Sequence, residues 1–145
     1  MSNLKIRPAS EKDVPTLLAL AEEFMPEQAD TKRRSGVLKR ALHDPDYELL
    51  VAELEREIVG FVDQWVIYDF PHGATLSFIQ NLFVSLSHRR KGIGRTLLRE
   101  IIKSAKAKGV LETHTATEFD NKPAIELYKK QGLVKESLLL EMELE

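Results

Sequence analysis

Residues 77–99, SFIQNLFVSLSHRRKGIGRTLLR, decide the fold of this chain. The first part, Ser77–Val84, predicts a strand. The basic turn His88–Lys91 follows, and from Gly92 the apolar residues recur at helical spacing. The stretch therefore indicates a strand, followed by a basic, glycine-containing turn, followed by a helix.

The turn has the composition of an anion site. Gly92 and Gly94 lack a Cβ, so the backbone can adopt unusual torsions and a bulky ligand can approach it closely. The first amides of the following helix have no intrahelical acceptor, and the helix dipole adds partial positive charge there. Arg89, Arg90 and Lys91 add fixed cations just before it. Together these features predict an anion site, most simply for a pyrophosphate.

The spacing of the residues in the turn distinguishes between several known phosphate-binding motifs. A dinucleotide fingerprint needs glycine at position 97, where this chain has Leu97, and the Gly-Lys-Ser/Thr of a P-loop is absent. The hexamer Arg89–Gly94 instead fits Arg/Gln-x-x-Gly-x-Gly/Ala, and it follows an Ile-x-x-Leu-x-Val strand. This combination resembles the acetyl-coenzyme A signature of the GNAT N-acetyltransferases.

A second segment strengthens the resemblance. Asn121-x-x-Ala124-x-x-x-Tyr128-x-x-x-Gly132-Leu133 is similar to the other characteristic segment of that family. Asn121 and Tyr128 are two helical turns apart and can face the same side. Without this context, Tyr128 would be interpreted as a core aromatic and Asn121 as a helix cap. The cofactor-binding residues that the resemblance implies are Leu82, Phe83, Val84, Arg89, Arg90, Lys91, Gly92, Ile93, Gly94, Arg95, Asn121, Ala124 and Tyr128.

The resemblance implies a reaction in which a primary amine attacks the thioester of acetyl-CoA directly. A backbone amide near Val84, freed by a bulge that family members carry there, would polarise the carbonyl. Tyr128, with an ordinary pKa of about 10, could protonate the departing thiolate. The amine itself must lose a proton, because a lysine-like amine has a pKa of about 10.4.

The proton acceptor is the point where this chain departs from many relatives. The strand position that often carries glutamate in the family is Gln80, and Asn81 follows it; neither accepts a proton at neutral pH. Either a water chain through Gln80 and backbone carbonyls deprotonates the amine, or another carboxylate does so. The sequence leaves both possibilities open.

A symmetric hairpin would identify the carboxylate. If the chain turns about Pro71 and His72, Asp63 lies opposite Gln80, and Trp65 lies opposite Phe78. Asp63 is therefore the candidate base, and the alternative is an ordinary exposed strand aspartate. The next candidates are Glu118 and Asp120.

Composition limits the classes of protein to which this chain can belong. The chain has 145 residues with 43% hydrophobic and 30% charged residues, as expected for one globular domain over residues 1–145. The absence of cysteine excludes disulfides, thiolate zinc sites and a cysteine nucleophile. The four histidines lack metal-ligand spacing, so no metal is expected. Without a transmembrane run or signal-peptide pattern, we expect a cytoplasmic protein with no membrane partner.

The periodicities predict strands over 4–7, 48–54, 58–68, 75–84 and 110–117. Helices are predicted from about residue 10 to 25, over 31–43, over 92–108 and from 121 to about 131. Residues 133–144 are predicted to close the chain as one bent strand or two short ones. The resemblance implies an α/β fold of the α+β type: four helices and a mixed, mostly antiparallel sheet of six or seven strands. That sheet is splayed open beside the anion site.

The acceptor is the least determined feature. In the implied fold, the loop between the first two helices and the 68–74 turn form the rim of the acceptor cleft. Such a rim would suit a cationic amine, which could be a polyamine, an aminoglycoside-like sugar, a lysine side chain or a protein N-terminus. The residues these segments offer are Glu22, Glu23, Glu27, Asp30, Asp69, Phe70 and Trp65.

Two other functions compete with an enzyme. An acyl-CoA-binding module without turnover is supported by Gln80 alone. A nucleic-acid binder would use the basic segment 88–108, but the net charge of −2 and the lack of interleaved aromatics disfavour it. We therefore expect no nucleic-acid partner. The apolar residues Leu138–Leu140 could support a homodimer as easily as the core.

Overall fold

The computed structural model describes residues 3–144. Within them lie β1 (Leu4–Pro8), α1 (Val14–Phe24), α2 (Thr31–Leu42), β2 (Tyr47–Leu54), β3 (Glu57–Asp69), β4 (Ala74–Val84), α3 (Ile93–Ala107), β5 (Glu112–Thr115) and α4 (Lys122–Lys130). The sheet order is β1-β2-β3-β4-β5, with antiparallel neighbours except for the parallel pair β4–β5. The predicted mixed α/β class and the order of elements are confirmed, with five strands in this part of the chain rather than six or seven.

The missing strands belong to the C-terminal segment. Residues 133–144 form no strand, so the prediction of one or two strands there is wrong. Leu138, Leu140, Met142 and Leu144 alternate as a strand pattern requires, yet each is more than 70% exposed. A strand needs a neighbour to satisfy its backbone groups, and a hydrophobic pattern cannot specify where that neighbour comes from.

The sheet carries one hydrophobic cluster on each face. On one face, Leu97, Leu98 and Ile101 of α3 pack against buried residues of β2, β3 and β4. On the other face, Leu17 and Leu20 of α1 pack over Leu49, Val51, Phe61 and Phe83. The basic residues of α3 are thereby turned towards solvent, as the helical spacing predicts.

The sheet opens where β4 and β5 part. β5 pairs with residues 76–79 of β4, so within residues 3–144 no strand lies along the β5-facing edge of residues 80–84. On the other side, the Ser85 N–H donates to the Val59 carbonyl at 2.8 Å. Along an antiparallel ladder, pairs that exchange hydrogen bonds alternate with pairs that do not, so the bonded pair Val59–Ser85 is followed by the non-bonded pair Gly60–Val84. The Val84 N–H therefore points away from β3 and into the gap. The predicted splay is confirmed.

A β-bulge interrupts the β3–β4 ladder at Gln80. Asp63 pairs with Asn81 while Gln64 pairs with Ile79, which leaves Gln80 as the extra residue. The prediction that Asp63 lies opposite Gln80 is therefore wrong by one residue, although Trp65 does lie opposite Phe78. The bulge that the resemblance implies near Val84 is found four residues earlier, at Gln80.

Candidate active site

The start of α3 forms a cationic turn with open backbone amides. Gly92 has a φ of +80°, and as the residue before the helix it has no side chain to cap the amides of the first turn. Arg90 and Lys91 are exposed beside it. Arg89 is held differently: its Nε donates to the Val84 carbonyl at 3.0 Å, and its guanidinium lies 5.4 Å from the Phe83 ring centroid. The turn therefore offers an anion site, and the Arg89 side chain holds this turn against the end of β4.

Gly92 and Gly94 are glycines for different reasons. The left-handed φ of Gly92 is strained for residues with a side chain. Gly94 lies inside α3, and a Cβ there would make an ordinary contact at 3.7 Å from Val84 Cγ2. The folded chain therefore has room for alanine at position 94, and its own packing does not require glycine there.

The second segment places α4 beside the opening of the sheet. The Asn121 Oδ1 accepts the Ala124 N–H at 3.3 Å, so this side chain caps α4. Tyr128 is half-buried against the cluster on the α3 face. Burial raises its pKa, and the Thr115 hydroxyl partly opposes that shift. Thr115 itself donates to the Ile79 carbonyl where β5 leaves β4, so Tyr128 lies near the gap.

Asp63 is the centre of a buried polar cluster. Its Oδ2 accepts the Tyr47 hydroxyl at 2.5 Å and the Asn81 Nδ2 at 3.1 Å, while its Oδ1 accepts the Asn81 backbone N–H at 2.8 Å. The residue is 5% exposed. Burial raises the pKa of Asp63, against the opposing hydrogen bonds from Tyr47 and Asn81. The expected alternative, an exposed strand aspartate, is wrong, and this carboxyl holds a proton more tightly than a surface aspartate does.

Gln80 and Trp65 complete the polar wall. The Trp65 Nε1 donates to the Gln80 Oε1 at 3.1 Å, and the Trp65 and Tyr47 rings lie 4.7 Å apart. Because of the bulge, Gln80 and its neighbour Asn81 both face the same cavity, which also reaches Asp63 and has a volume of about 430 Å³. Sequence reasoning missed Tyr47, since only the β2–β3 register places Tyr47 beside β3.

Four of the five acids expected on the acceptor rim are held by other groups of the chain, and the fifth, Glu27, is exposed. Glu22 binds Arg34 and the Glu27 N–H, and the Glu23 carboxylate accepts the Leu86 N–H. Asp30 caps α2, and Asp69 pairs with His72 across the hairpin tip. Phe70 is 92% exposed at that tip. Of the residues expected on the rim, Trp65 is the one that lines the cavity beside Asp63. Two residues that were not expected there, Arg33 and Arg34, also line it.

The remaining candidates lie apart from the cavity. Glu118 and Asp120 are exposed in the loop after β5, and neither lines the cavity that contains Asp63. Over residues 3–144 no group of three or more acidic or histidine side chains is arranged to hold a metal ion. In the same part of the chain, no helix combines the length and the apolarity needed to cross a membrane.

Sequence comparison identifies similar chains. The family model described as "Acetyltransferase (GNAT) family" matches residues 14–133. An uncharacterized N-acetyltransferase, YhfO, of Bacillus subtilis is 26% identical over 132 residues, covering 89% of each chain. N-acetyltransferase 8 of Rattus norvegicus is 30% identical over 101 residues; the match covers 70% of this chain and 46% of that protein. The match therefore spans about half the length of that relative.

Structural comparison identifies the same fold. An aminoglycoside acetyltransferase from an uncultured soil metagenomic sample, solved with sisomicin, superposes with a TM-score of 0.82 at 23% identity, covering 98% of this chain and 95% of that one. The aminoglycoside N-acetyltransferase AAC(6')-Iy, solved with CoA, gives 0.85 at 17% identity, covering 97% and 95%. At such identities the likeness shows the fold alone.

Proposed function

The chain belongs to the GNAT acetyltransferase family, and on that premise we propose that it transfers the acetyl group of acetyl-CoA to a primary amine in a ternary complex. One observation carries the proposal. The edge of residues 80–84 of β4, along which no described strand lies, is followed after residues 85–92 by the uncapped, basic start of α3. A coenzyme with amides in its arm and a pyrophosphate at its far end needs such an edge beside such a turn.

The coenzyme would be held along this path. The N–H groups of Leu82 and Val84 face the gap, because both residues belong to the same alternate set of the ladder. The pyrophosphate would lie on the first-turn amides of α3, with Arg90 and Lys91 supplying charge. Gly94 and Ala124 would leave room beside it, and Asn121 would contact it in addition to capping α4.

The chemistry requires three proton transfers. The ammonium group of the acceptor first gives a proton to Asp63, directly or through water held at Gln80, and the freed lone pair of the nitrogen then bonds to the acetyl carbon. As the carbon–sulfur bond breaks, Tyr128 protonates the departing thiolate and regains a proton from the nitrogen that becomes the amide. A gap-facing N–H of β4 polarises the carbonyl oxygen where negative charge develops. The raised pKa of Asp63 supports its role, since a stronger base reduces the mismatch with an ammonium group.

Substitution of Tyr128 separates this enzyme from a coenzyme binder without turnover. We expect Tyr128→Phe to lower kcat by about 10²-fold or more while acetyl-CoA still binds, because the change removes a proton donor. Thiol release from acetyl-CoA with a panel of amines measures kcat, and calorimetry measures binding. Tyr68→Phe, at an exposed tyrosine of β3, is the matched control and should leave kcat unchanged. A wild-type protein that binds acetyl-CoA and releases no thiol with any amine would contradict the proposal.

A second copy of the chain is the macromolecular partner we propose. Within residues 3–144, β5 has a strand on one side, and its outer edge is open. Leu111 and Phe119, which flank β5, are 76% and 91% exposed, and the segment 133–144 presents its own apolar side chains to solvent. Exchange of this segment between two copies would satisfy both the open edge and the apolar segment.

A further inference from the structure

We propose that the acceptor is a primary monoamine with an apolar body, and that polyamines and aminoglycosides are poor acceptors. The inference rests on the proposed function, because it assigns the amine to the cavity beside Asp63. It follows from three properties of that cavity: its apolar walls, its single acid and its arginines.

The walls of the cavity are mostly hydrophobic. Leu17, Phe24, Val37, Leu38 and Phe61 contribute from α1, α2 and β3, and the polar groups are confined to the bulge side and to two arginines. A volume of about 430 Å³ is within the range of small-molecule sites. A hydroxyl-rich sugar placed there would lose water against the α1 wall, where every lining side chain is apolar and offers no donor or acceptor.

The negative charge of the cavity matches one ammonium group. Asp63 is the one acid among the described residues that line it. This carboxylate already accepts hydrogen bonds from the Tyr47 hydroxyl and from two nitrogens of Asn81. A single amine can approach it from the cavity, whereas a second ammonium of the same ligand would find no carboxylate there.

The arginines act against additional positive charge. Arg34 is held by Glu22 at 2.7 Å and by the Met25 carbonyl at 2.6 Å. The Arg33 guanidinium makes no ion pair or hydrogen bond with a described residue, so its charge remains uncompensated at the cavity. A polycation that placed one amine near Asp63 would bring its other charges towards Arg33, and this repulsion selects against it.

Binding can be measured without turnover because Trp65 is the single tryptophan of the chain and lines the cavity. We expect 2-phenylethylamine to change Trp65 fluorescence at concentrations at least about tenfold lower than spermidine or sisomicin, both in the presence of CoA. Tighter binding of either polycation would overturn the inference. Trp65→Phe removes the signal and establishes its origin.

A charge reversal tests the same idea through specificity. Arg33→Glu should raise the ratio of kcat/KM for spermidine to that for 2-phenylethylamine by about three- to tenfold, as expected for an exposed charge pair. Arg40→Glu, also exposed on α2 but outside this cavity, is the matched control and should change the ratio less than about twofold. An unchanged ratio in Arg33→Glu would contradict the role of Arg33.

The outcomes separate the inference from the function on which it rests. Thiol release that is fastest with a polyamine or aminoglycoside would overturn the acceptor class and leave the acetyltransferase intact. Selective binding of the arylalkylamine without thiol release from any amine would support the cavity argument and overturn the proposed function.

Discussion

At the scale of single residues, the two glycines of the cationic turn separate folding from binding. Gly92 is required by its own backbone, since its φ of +80° strains any side-chain-bearing residue. Gly94 has helical torsions and room for a methyl group, so the fold does not require glycine there. A requirement for glycine at position 94 would therefore come from the bound coenzyme, and the two requirements can be measured independently.

Gly94→Ala should stabilise the free protein and weaken coenzyme binding. Alanine in a helix interior gains about 0.5–1 kcal/mol over glycine, while the added methyl group would occupy space that the coenzyme needs. Urea denaturation gives the free energy of unfolding, and calorimetry gives the affinity for acetyl-CoA. Gly36→Ala in α2, where an added Cβ has no neighbour within 4 Å, should stabilise the protein without changing affinity. If Gly94→Ala binds acetyl-CoA as the wild type does, the coenzyme does not lie against α3 at this point.

Asp63→Asn should lower kcat/KM by about 10²-fold near neutral pH and by progressively less as the pH approaches 10. The loss shrinks because a lysine-like amine, with a pKa of about 10.4, increasingly reacts as its own free base. The wild-type rate should fall on the acid side as Asp63 becomes protonated, at a pH above the ordinary aspartate value because its pKa is raised.

A pH series of thiol release measures both effects of Asp63→Asn. Asp69→Asn, on the same strand but at the hairpin tip beside His72, is the control and should keep the wild-type profile. A constant loss at every pH would indicate a structural role for Asp63, and full turnover at every pH would remove Asp63 from the mechanism.

At the scale of elements, β4, the basic turn and α3 act as one unit through Arg89. The Nε of Arg89 donates to the Val84 carbonyl, so the side chain joins the last residue of β4 to the turn. Arg90 and Lys91, in contrast, are exposed charges. The three adjacent cations of the motif therefore divide into one that positions the turn and two that are free to meet an anion.

Arg89→Lys should weaken acetyl-CoA binding by about three- to tenfold even though the charge is kept, because lysine cannot reproduce the guanidinium geometry at the Val84 carbonyl. Arg90→Lys, which preserves a point charge at an exposed site, should change affinity less than about twofold. Calorimetric titration at several salt concentrations compares them. Equal affinities for Arg89→Lys and the wild type would show that the Val84 contact does not hold the turn in its binding form.

How far the sequence predicts each element depends on whether its determinants are local. The helices follow from residue spacing, and Asn121 forms the cap that its position predicts. The bulge at Gln80 depends on the ladder with β3, so alternation within β4 could not locate it. For the same reason Tyr47 was missed and Asp63 was placed one residue away from its true partner.

At the scale of the whole molecule, the part after α3 is poorly covered, since no residue from 108 to 144 is fully buried. The described residues of α4 include none that is fully buried, and β5 is a short edge strand. Leu138, Leu140 and Met142 remain exposed beyond α4. Cover from a second copy over β5 would also support α4, which carries Asn121 and Tyr128, so assembly and coenzyme binding should be coupled.

The full chain should accordingly have a mass of twice 16.5 kDa by light scattering. Leu140→Asp should shift it towards the monomer, because a charge replaces an apolar group that would be covered in the dimer. Leu86→Asp, at a leucine with the same 71% exposure as Leu138 but beside the cationic turn, should leave the mass unchanged. A monomeric mass for the wild type at all concentrations would exclude the exchange.

Cross-linking identifies which segments meet, and because the chain has no cysteine of its own, a disulfide can form only between introduced cysteines. Chains with His114→Cys on β5, mixed with chains carrying Leu138→Cys, Leu140→Cys or Met142→Cys, should form a disulfide-linked product of doubled mass at one or more of the three positions. Gly36→Cys in place of His114→Cys is the matched control, because α2 packs against α1 and β2, and β3 and β4 separate β2 from β5 in the sheet. If the disulfide instead forms within a single chain that carries both cysteines, and mixed chains give none, the C-terminal segment folds onto its own β5. Coenzyme affinity should then be independent of protein concentration, whereas exchange between copies predicts that affinity falls on dilution as α4 loses its support.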